Sequence, residues 1–147
     1  MIFQYSYDIM VLIKLQETII MLENFEPYIF IQGKLSLNIT DKYIKFGKNC
    51  RIKLNKPEYI KIYFDAKNKQ MAIQPALKEE ENSLKFDSNY NDGGVRIAKK
   101  QLVEYVYYIM GKSPDKNVNY SVEGEYYTAD DIIVFDFKNA VERNKKK

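Results

Sequence analysis

The chain has 147 residues, enough for one domain with an ordinary core, and 46% apolar and 14% aromatic content excludes a disordered protein. Its 23 Lys and Arg against 20 Asp and Glu give +3, and the absence of histidine excludes Ser-His-Asp and Cys-His catalysis, HExxH and Cys2His2 zinc sites, and a histidine pH switch. The single cysteine, Cys50, permits no internal disulfide and suits a reducing cytoplasm, where the protein is expected to reside.

Residues 8–23 place Ile9, Leu12, Ile13, Ile19, Ile20 and Leu22 at spacings that predict a mostly buried N-terminal helix. Lys14, Gln16, Glu17 and Thr18 interrupt the stretch, so it does not span a membrane, and without a basic leader or a small-residue cleavage site it is no signal peptide. Met21 opens Met-Leu-Glu-Asn-Phe-Glu-Pro, a natural start, which would make the first twenty residues an extension. From Pro27 the apolar period changes to two. Segments 28–31 and 34–39 flank Gln32-Gly33, a hairpin signal, and 42–46 and 50–54 flank Gly47-Lys48-Asn49, a second hairpin. Cys50 then falls at an apolar strand position, as a buried and inert thiol. After the breaker Asn55-Lys56-Pro57, segments 58–64 and 70–74 form a third hairpin around 65–69.

Residues 76–94 are polar and acidic, with Glu79-Glu80-Glu81 and the breaker Asn91-Asp92-Gly93-Gly94, and 84–86 reads as a short strand inside them. A β-α-β-β unit over 95–137 follows. Val95-Arg96-Ile97 opens it, and Leu102, Val103, Val106, Ile109 and Met110 mark an amphipathic helix over 99–110, closed by Gly111 and Pro114. Strands over 118–122 and 132–137 flank a turn region at Glu123-Gly124, and 138–147 is a basic tail whose ending Asn144-Lys145-Lys146-Lys147 is solvated. The fold expected is α+β: an antiparallel β-meander of about seven or eight strands in one domain, with an N-terminal helix and one amphipathic helix packed on the sheet. An internal repeat relates Ile52-Lys53-Leu54-Asn55-Lys56 to Val95-Arg96-Ile97-Ala98-Lys99 through a shared apolar–basic–apolar–x–Lys pattern.

Arg51-Ile52-Lys53-Leu54-Asn55-Lys56, Tyr59-Ile60-Lys61-Ile62-Tyr63-Phe64-Asp65 and Met71-Ala72-Ile73-Gln74-Pro75 together resemble the AbrB/SpoVT swapped-hairpin family. The resemblance covers about 25 residues. That family joins a strand signature to a short helix and a hairpin with Asp at its turn. Cysteine and asparagine stand here in place of the usual glycine and proline of the signature, and no helix is expected in the first copy. The resemblance implies two interdigitated units, a homodimer, and DNA contacts through Arg51, Lys53 and Arg96. The chain is also similar in style to small proteins of phages and mobile elements.

The charge is unevenly spread. Residues 28–63 carry eight Lys or Arg against Asp41 and Glu58, a local balance of +6, whereas 113–137 carry −5. Alternation turns Ile44, Phe46, Ile60, Ile62 and Phe64 one way and Tyr43, Lys45, Arg51, Lys53, Tyr59, Lys61 and Tyr63 the other. Lysine and arginine on such a face neutralise phosphates while tyrosines stack on bases or sugars. Alternating lysine also keeps a sheet soluble and blunts its edges, but a solubilising face mixes both signs. The C-terminal carboxylates, Asp115, Glu123, Glu125, Asp130, Asp131 and Asp136, suggest Mg2+, and Pro114-Asp115 with Glu123-Gly124-Glu125 is similar to the PD-(D/E)xK nucleases. No lysine stands two positions past either glutamate, so no enzyme, metal or other cofactor is expected. Tyr108, on the polar side of the helix, is a candidate anchor for a protein partner. The function expected is a non-enzymatic binding protein, AbrB-like, whose basic sheet face engages nucleic acid or a host nucleoprotein. The alternative is an anti-CRISPR type inhibitor of host nucleic-acid defence that acts by protein–protein contact.

Overall fold

The computed structural model describes Phe25, residues 33–88 and residues 91–144. The expected helix over 8–23, the alternative start at Met21 and the strand over 28–31 lie outside those residues.

Segments with period-two patterning become strands because alternation lets one face bury its apolar groups while the other stays wet. Nine strands form one antiparallel sheet among the described residues: β1 (Ser36–Ile39), β2 (Ile44–Phe46), β3 (Tyr59–Asp65), β4 (Gln70–Ala76), β5 (Leu84–Lys85), β6 (Val95–Ile97), β7 (Val118–Tyr127), β8 (Ile132–Asp136) and β9 (Val141–Asn144). Their order is β5-β3-β4-β8-β7-β1-β2-β6, with β9 beside β7. The α+β class read from the sequence holds. The sheet curls around its core: Phe46 of β2 lies 5.5 Å from Phe86, just past β5, and 5.7 Å from Phe135 of β8. Leu37, Ile39, Ile44, Ile60, Met71, Ile73 and Ile133 fill the same interior.

Two local expectations are corrected and one strand is added. Residues 50–54 are not a strand but part of a short helix, α1 (Lys48–Lys53), so the second hairpin does not form. Cys50 and Leu54 are both buried while Ile52 is 53% exposed. Apolar groups at every second position satisfy a helix as well as a strand when only the first and last are buried, four apart. Glu123-Gly124 is not a turn, because β7 runs unbroken from Val118 to Tyr127. The turn lies over 128–131 instead, where the sequence places Asp130-Asp131. The basic tail also contributes a strand that the sequence did not single out, since Val141–Asn144 pairs with β7 as β9, all four residues exposed. It reaches β7 through a 3-10 turn (Phe137–Asn139), in which the Asp136 side chain accepts the Lys138 N–H.

The amphipathic helix is α2 (Lys100–Met110). It buries Val103, Val106, Tyr107, Ile109 and Met110 against the sheet, and Gly111 ends it at φ 70, which a residue without Cβ adopts cheaply.

The strand registers show an internal two-fold. β2 pairs β6 as Ile44↔Ile97, Lys45↔Arg96 and Phe46↔Val95, and β4 pairs β8 as Met71↔Phe135, Ala72↔Val134 and Ile73↔Ile133. Exchanging the strands about the central pair reproduces each pairing. The same exchange carries Ile60↔Leu84 of β3 and β5 onto Val122↔Leu37 of β7 and β1. It also carries Lys69 onto Asp131, which hold φ 54 and φ 52 in the two hairpin turns. The elements β1-β2-α1-β3-β4 and β5-β6-α2-β7-β8 are therefore two interleaved copies. The repeat is aligned differently from the sequence expectation: Ile44-Lys45-Phe46, not Ile52-Lys53-Leu54, is the counterpart of Val95-Arg96-Ile97. The exchange fails at one seam. β1 pairs β2, whereas β5 and β6 line opposite sides of a cleft of about 670 Å3.

Candidate nucleic-acid interface

Since side chains alternate across a strand, the face turned from the core follows from the register. On β2 it carries Lys45, with Tyr43 one pleat before, and on β6 it carries Arg96 directly opposite Lys45. The Arg96 guanidinium lies 3.8 Å over the Tyr43 ring, a cation–π contact that fixes its plane. On β3 the same face carries Tyr59, Lys61 and Tyr63, with Lys85 of β5 opposite Tyr59 and Gln74 of β4 opposite Lys61. The Tyr63 hydroxyl donates to Gln74 Oε1 at 3.4 Å, and Gln74 Nε2 donates to the Asp130 carbonyl at 2.8 Å.

Curling brings the two ends of the strand order to one cleft, lined by Lys85 from one side and Arg96 and Lys99 from the other. Three strands around the seam, β2, β3 and β6, thus carry Tyr43, Lys45, Tyr59, Lys61, Tyr63 and Arg96. Lys85 and Lys99 extend the set. Neither was singled out in the sequence, although Lys85 between Leu84 and Phe86 shows the same apolar–basic–apolar signal. Glu123 and Glu125 of β7 and Asp136 of β8 lie on the same sheet face, on the strands farthest from the seam in the order. The charge asymmetry of the sequence becomes a separation across the sheet.

Arg51 and Lys53 do not join this face. Both sit on α1, and Lys53 Nζ lies 4.8 Å from the centre of the Tyr126 ring. Tyr126 pairs with buried Ile133, so that contact is on the core side of the sheet. The helix in place of a strand is the reason.

Three lysines of the face, Lys45, Lys61 and Lys85, each meet a carboxylate from the connection between β4 and β6, which carries Lys85 itself on β5. Lys45 Nζ lies 2.7 Å from Asp92 Oδ2, Lys61 Nζ 3.5 Å from Glu80 Oε1, and Lys85 Nζ 3.2 Å from Asp87 Oδ2. The Lys45 ammonium and the Gly94 N–H hold the Asp92 carboxyl below its ordinary range. The Leu77 N–H, and then Lys61, do the same for Glu80.

Of the C-terminal carboxylates, Asp115 and Asp131 serve loops. Asp115 Oδ1 accepts the Asn117 N–H at 2.8 Å, and Asp131 accepts the Tyr126 hydroxyl at 2.7 Å. Among the described residues no three His, Cys, Asp or Glu gather as metal ligands. No helix of the described residues is long and apolar enough to cross a membrane. Tyr108 is 73% exposed on α2, its ring 5.9 Å from Tyr105, which packs edge-on against Phe64.

No family model, curated protein or solved structure matches the chain.

Proposed function

We propose that the protein is a non-enzymatic nucleic-acid-binding protein, of a phage or other mobile element, whose basic sheet face around the β5–β6 seam contacts the phosphate backbone. The observation that carries this reading is the grouping of Tyr43, Lys45, Tyr59, Lys61, Tyr63, Lys85 and Arg96 on four neighbouring strands, well removed in strand order from the Glu123, Glu125 and Asp136 carboxylates. Cations interleaved with tyrosines neutralise phosphates and offer stacking surfaces, which serves either a duplex or a single strand. Two interleaved copies about a two-fold, the arrangement implied by the AbrB/SpoVT resemblance, also support it. The test is fluorescence anisotropy with random-sequence duplex DNA, single-stranded DNA and RNA over a salt series. Charge reversal at Lys45 and Lys61 is expected to weaken binding and flatten the salt slope; unchanged affinity and slope refute the reading.

A second reading, an inhibitor of host nucleic-acid defence machinery that works by protein contact, is favoured by one observation. Tyr105 and Tyr108 form an exposed aromatic pair on α2, and aromatics supply large contact area at low entropic cost. Absence of nucleic-acid binding even at low salt would favour it over the first.

A further inference from the structure

The acidic connection is spent on the basic face in a consistent way. Three carboxylates, from three separate points along residues 77–94, each meet a different lysine: Glu80 on Lys61, Asp87 on Lys85 and Asp92 on Lys45. Those lysines come from three strands, β3, β5 and β2, on both sides of the seam. The connection carries Glu79, Glu80, Glu81, Asp87 and Asp92 against Lys78 and Lys85, so its charge is opposite to that of the surface it follows. The carboxylates are tied down locally: Asp92 also accepts the Gly94 N–H at 2.9 Å, and Glu80 accepts the Leu77 N–H. The lysine side chains at β2 and β3 keep only 21% and 26% of their exposure, while Asp92 and Glu80 remain at 62% and 42%. At Lys45 and Lys61 the acids cover the cations, whereas Lys85, at 70% against 47% for Asp87, stays the more open partner.

We propose that this connection is an intrachain mimic of a polyanion: Glu80, Asp87 and Asp92 occupy the phosphate positions of the basic face, and nucleic acid binds by displacing them. The inference rests on the nucleic-acid reading above. A tethered competitor acts at high effective concentration, yet exposed pairs of this kind are individually weak. The gate is therefore soft. It rejects isolated phosphates and short anions, and yields to a polymer that replaces all three carboxylates at once and releases its counterions.

The test compares the full chain with the variant Glu80→Gln, Asp87→Asn, Asp92→Asn. The amide oxygens retain the acceptors for Leu77 and Gly94, and a thermal melt reports whether the fold is kept. A control of equal charge change, Glu104→Gln, Asp115→Asn, Glu142→Gln, lies away from the face. With a short random-sequence duplex, the first variant is expected to bind about tenfold tighter or more at moderate salt. Its plot of log affinity against log salt should steepen by about 2 to 3, close to 0.9 for each lysine released. The control should change neither by a comparable amount. If the triple variant loses stability, Asp92→Asn alone must show roughly a third of the added slope.

A wild-type protein that binds, with a triple variant of the same affinity and slope, overturns the gate and leaves the nucleic-acid reading standing. Equal gains in both variants also overturn the gate, since net charge alone then explains them. If neither wild type nor triple variant binds any nucleic acid, the underlying reading fails and the gate with it.

Discussion

Gly124→Ala is a sharp test of the structure because its sign depends on whether the residue lies in a turn or in a strand. Gly124 has no positive φ, so the backbone itself accepts alanine. In an open turn the substitution would stabilise the protein by about 0.4–1 kcal/mol, through the entropy it removes from the unfolded chain. In the structure, Gly124 sits within β7 opposite Phe135, where an added Cβ would lie 2.7 Å from Ile133 Cγ2, 2.7 Å from Phe135 Cε1 and 3.0 Å from Phe135 Cδ1. Ile133 and Phe135 are fully buried, so neither can swing into solvent. Overpacking of such a site costs about 1–3 kcal/mol. The balance is a loss of roughly 1–2 kcal/mol, or about 3–6 °C in Tm for a domain of this size. Thermal and urea unfolding followed by circular dichroism would measure it. Phe135→Leu, which removes the ring atoms that Cβ would meet, should make the double mutant less unstable than the two single losses summed. A Gly124→Ala protein as stable as wild type, or more so, would refute the packing of β7 on β8.

The other predictions concern the thiol, the hairpin turn and acid. Burial pushes the Cys50 thiol up to about 12, so native protein should react with a thiol reagent at mildly alkaline pH on the order of a hundredfold more slowly than urea-unfolded protein; comparable rates would show the thiol exposed. Lys69 holds φ 54, which costs an ordinary side chain about 1 kcal/mol, so Lys69→Gly should raise Tm by a few degrees, and an unchanged or lower Tm would contradict the turn geometry. Asp65 is held below its ordinary range, first by the Asn68 side-chain amide and then by the Asn68 N–H, and Glu80 and Asp92 are lowered by the bonds described above. A folded-state value below the unfolded one gives stability that is present above about pH 4 and lost as pH falls through the lower folded values. The urea midpoint should therefore decline on acidification below about pH 4, and less so in Asp65→Asn; a midpoint independent of pH there would exclude this linkage.

Much of the architecture follows from period alone. The alternation of Ile60, Ile62 and Phe64 with Tyr59, Lys61 and Tyr63 placed β3 and its two faces, and the stripe from Val103 to Met110 with Gly111 placed α2 to within a residue. Cys50, Ile52 and Leu54 defeated the same reading, since three apolar residues spaced by two do not distinguish a strand from a single helical turn. Glu123-Gly124 misled for a different reason. A glycine beside a charged residue looks like a turn, but here it makes room for Ile133 and Phe135, which approach β7 from a neighbouring strand. The candidate face was partly legible: Tyr43, Lys45, Tyr59, Lys61, Tyr63 and Arg96 share it, whereas Arg51 and Lys53 leave it with α1.

By itself, the sequence determined which residues are apolar and at what period, hence the α+β class, most strand faces, the lone buried thiol and the segregation of charge. Those properties are local and need no knowledge of what packs where. Only the tertiary structure decided that β2 meets β6 and β4 meets β8 about a common two-fold, that β5 and β6 line one cleft, and that Glu80 and Asp92 meet Lys61 and Lys45. Pairings between residues far apart in the chain depend on register and on the curl of the sheet, and side-chain periodicity contains neither.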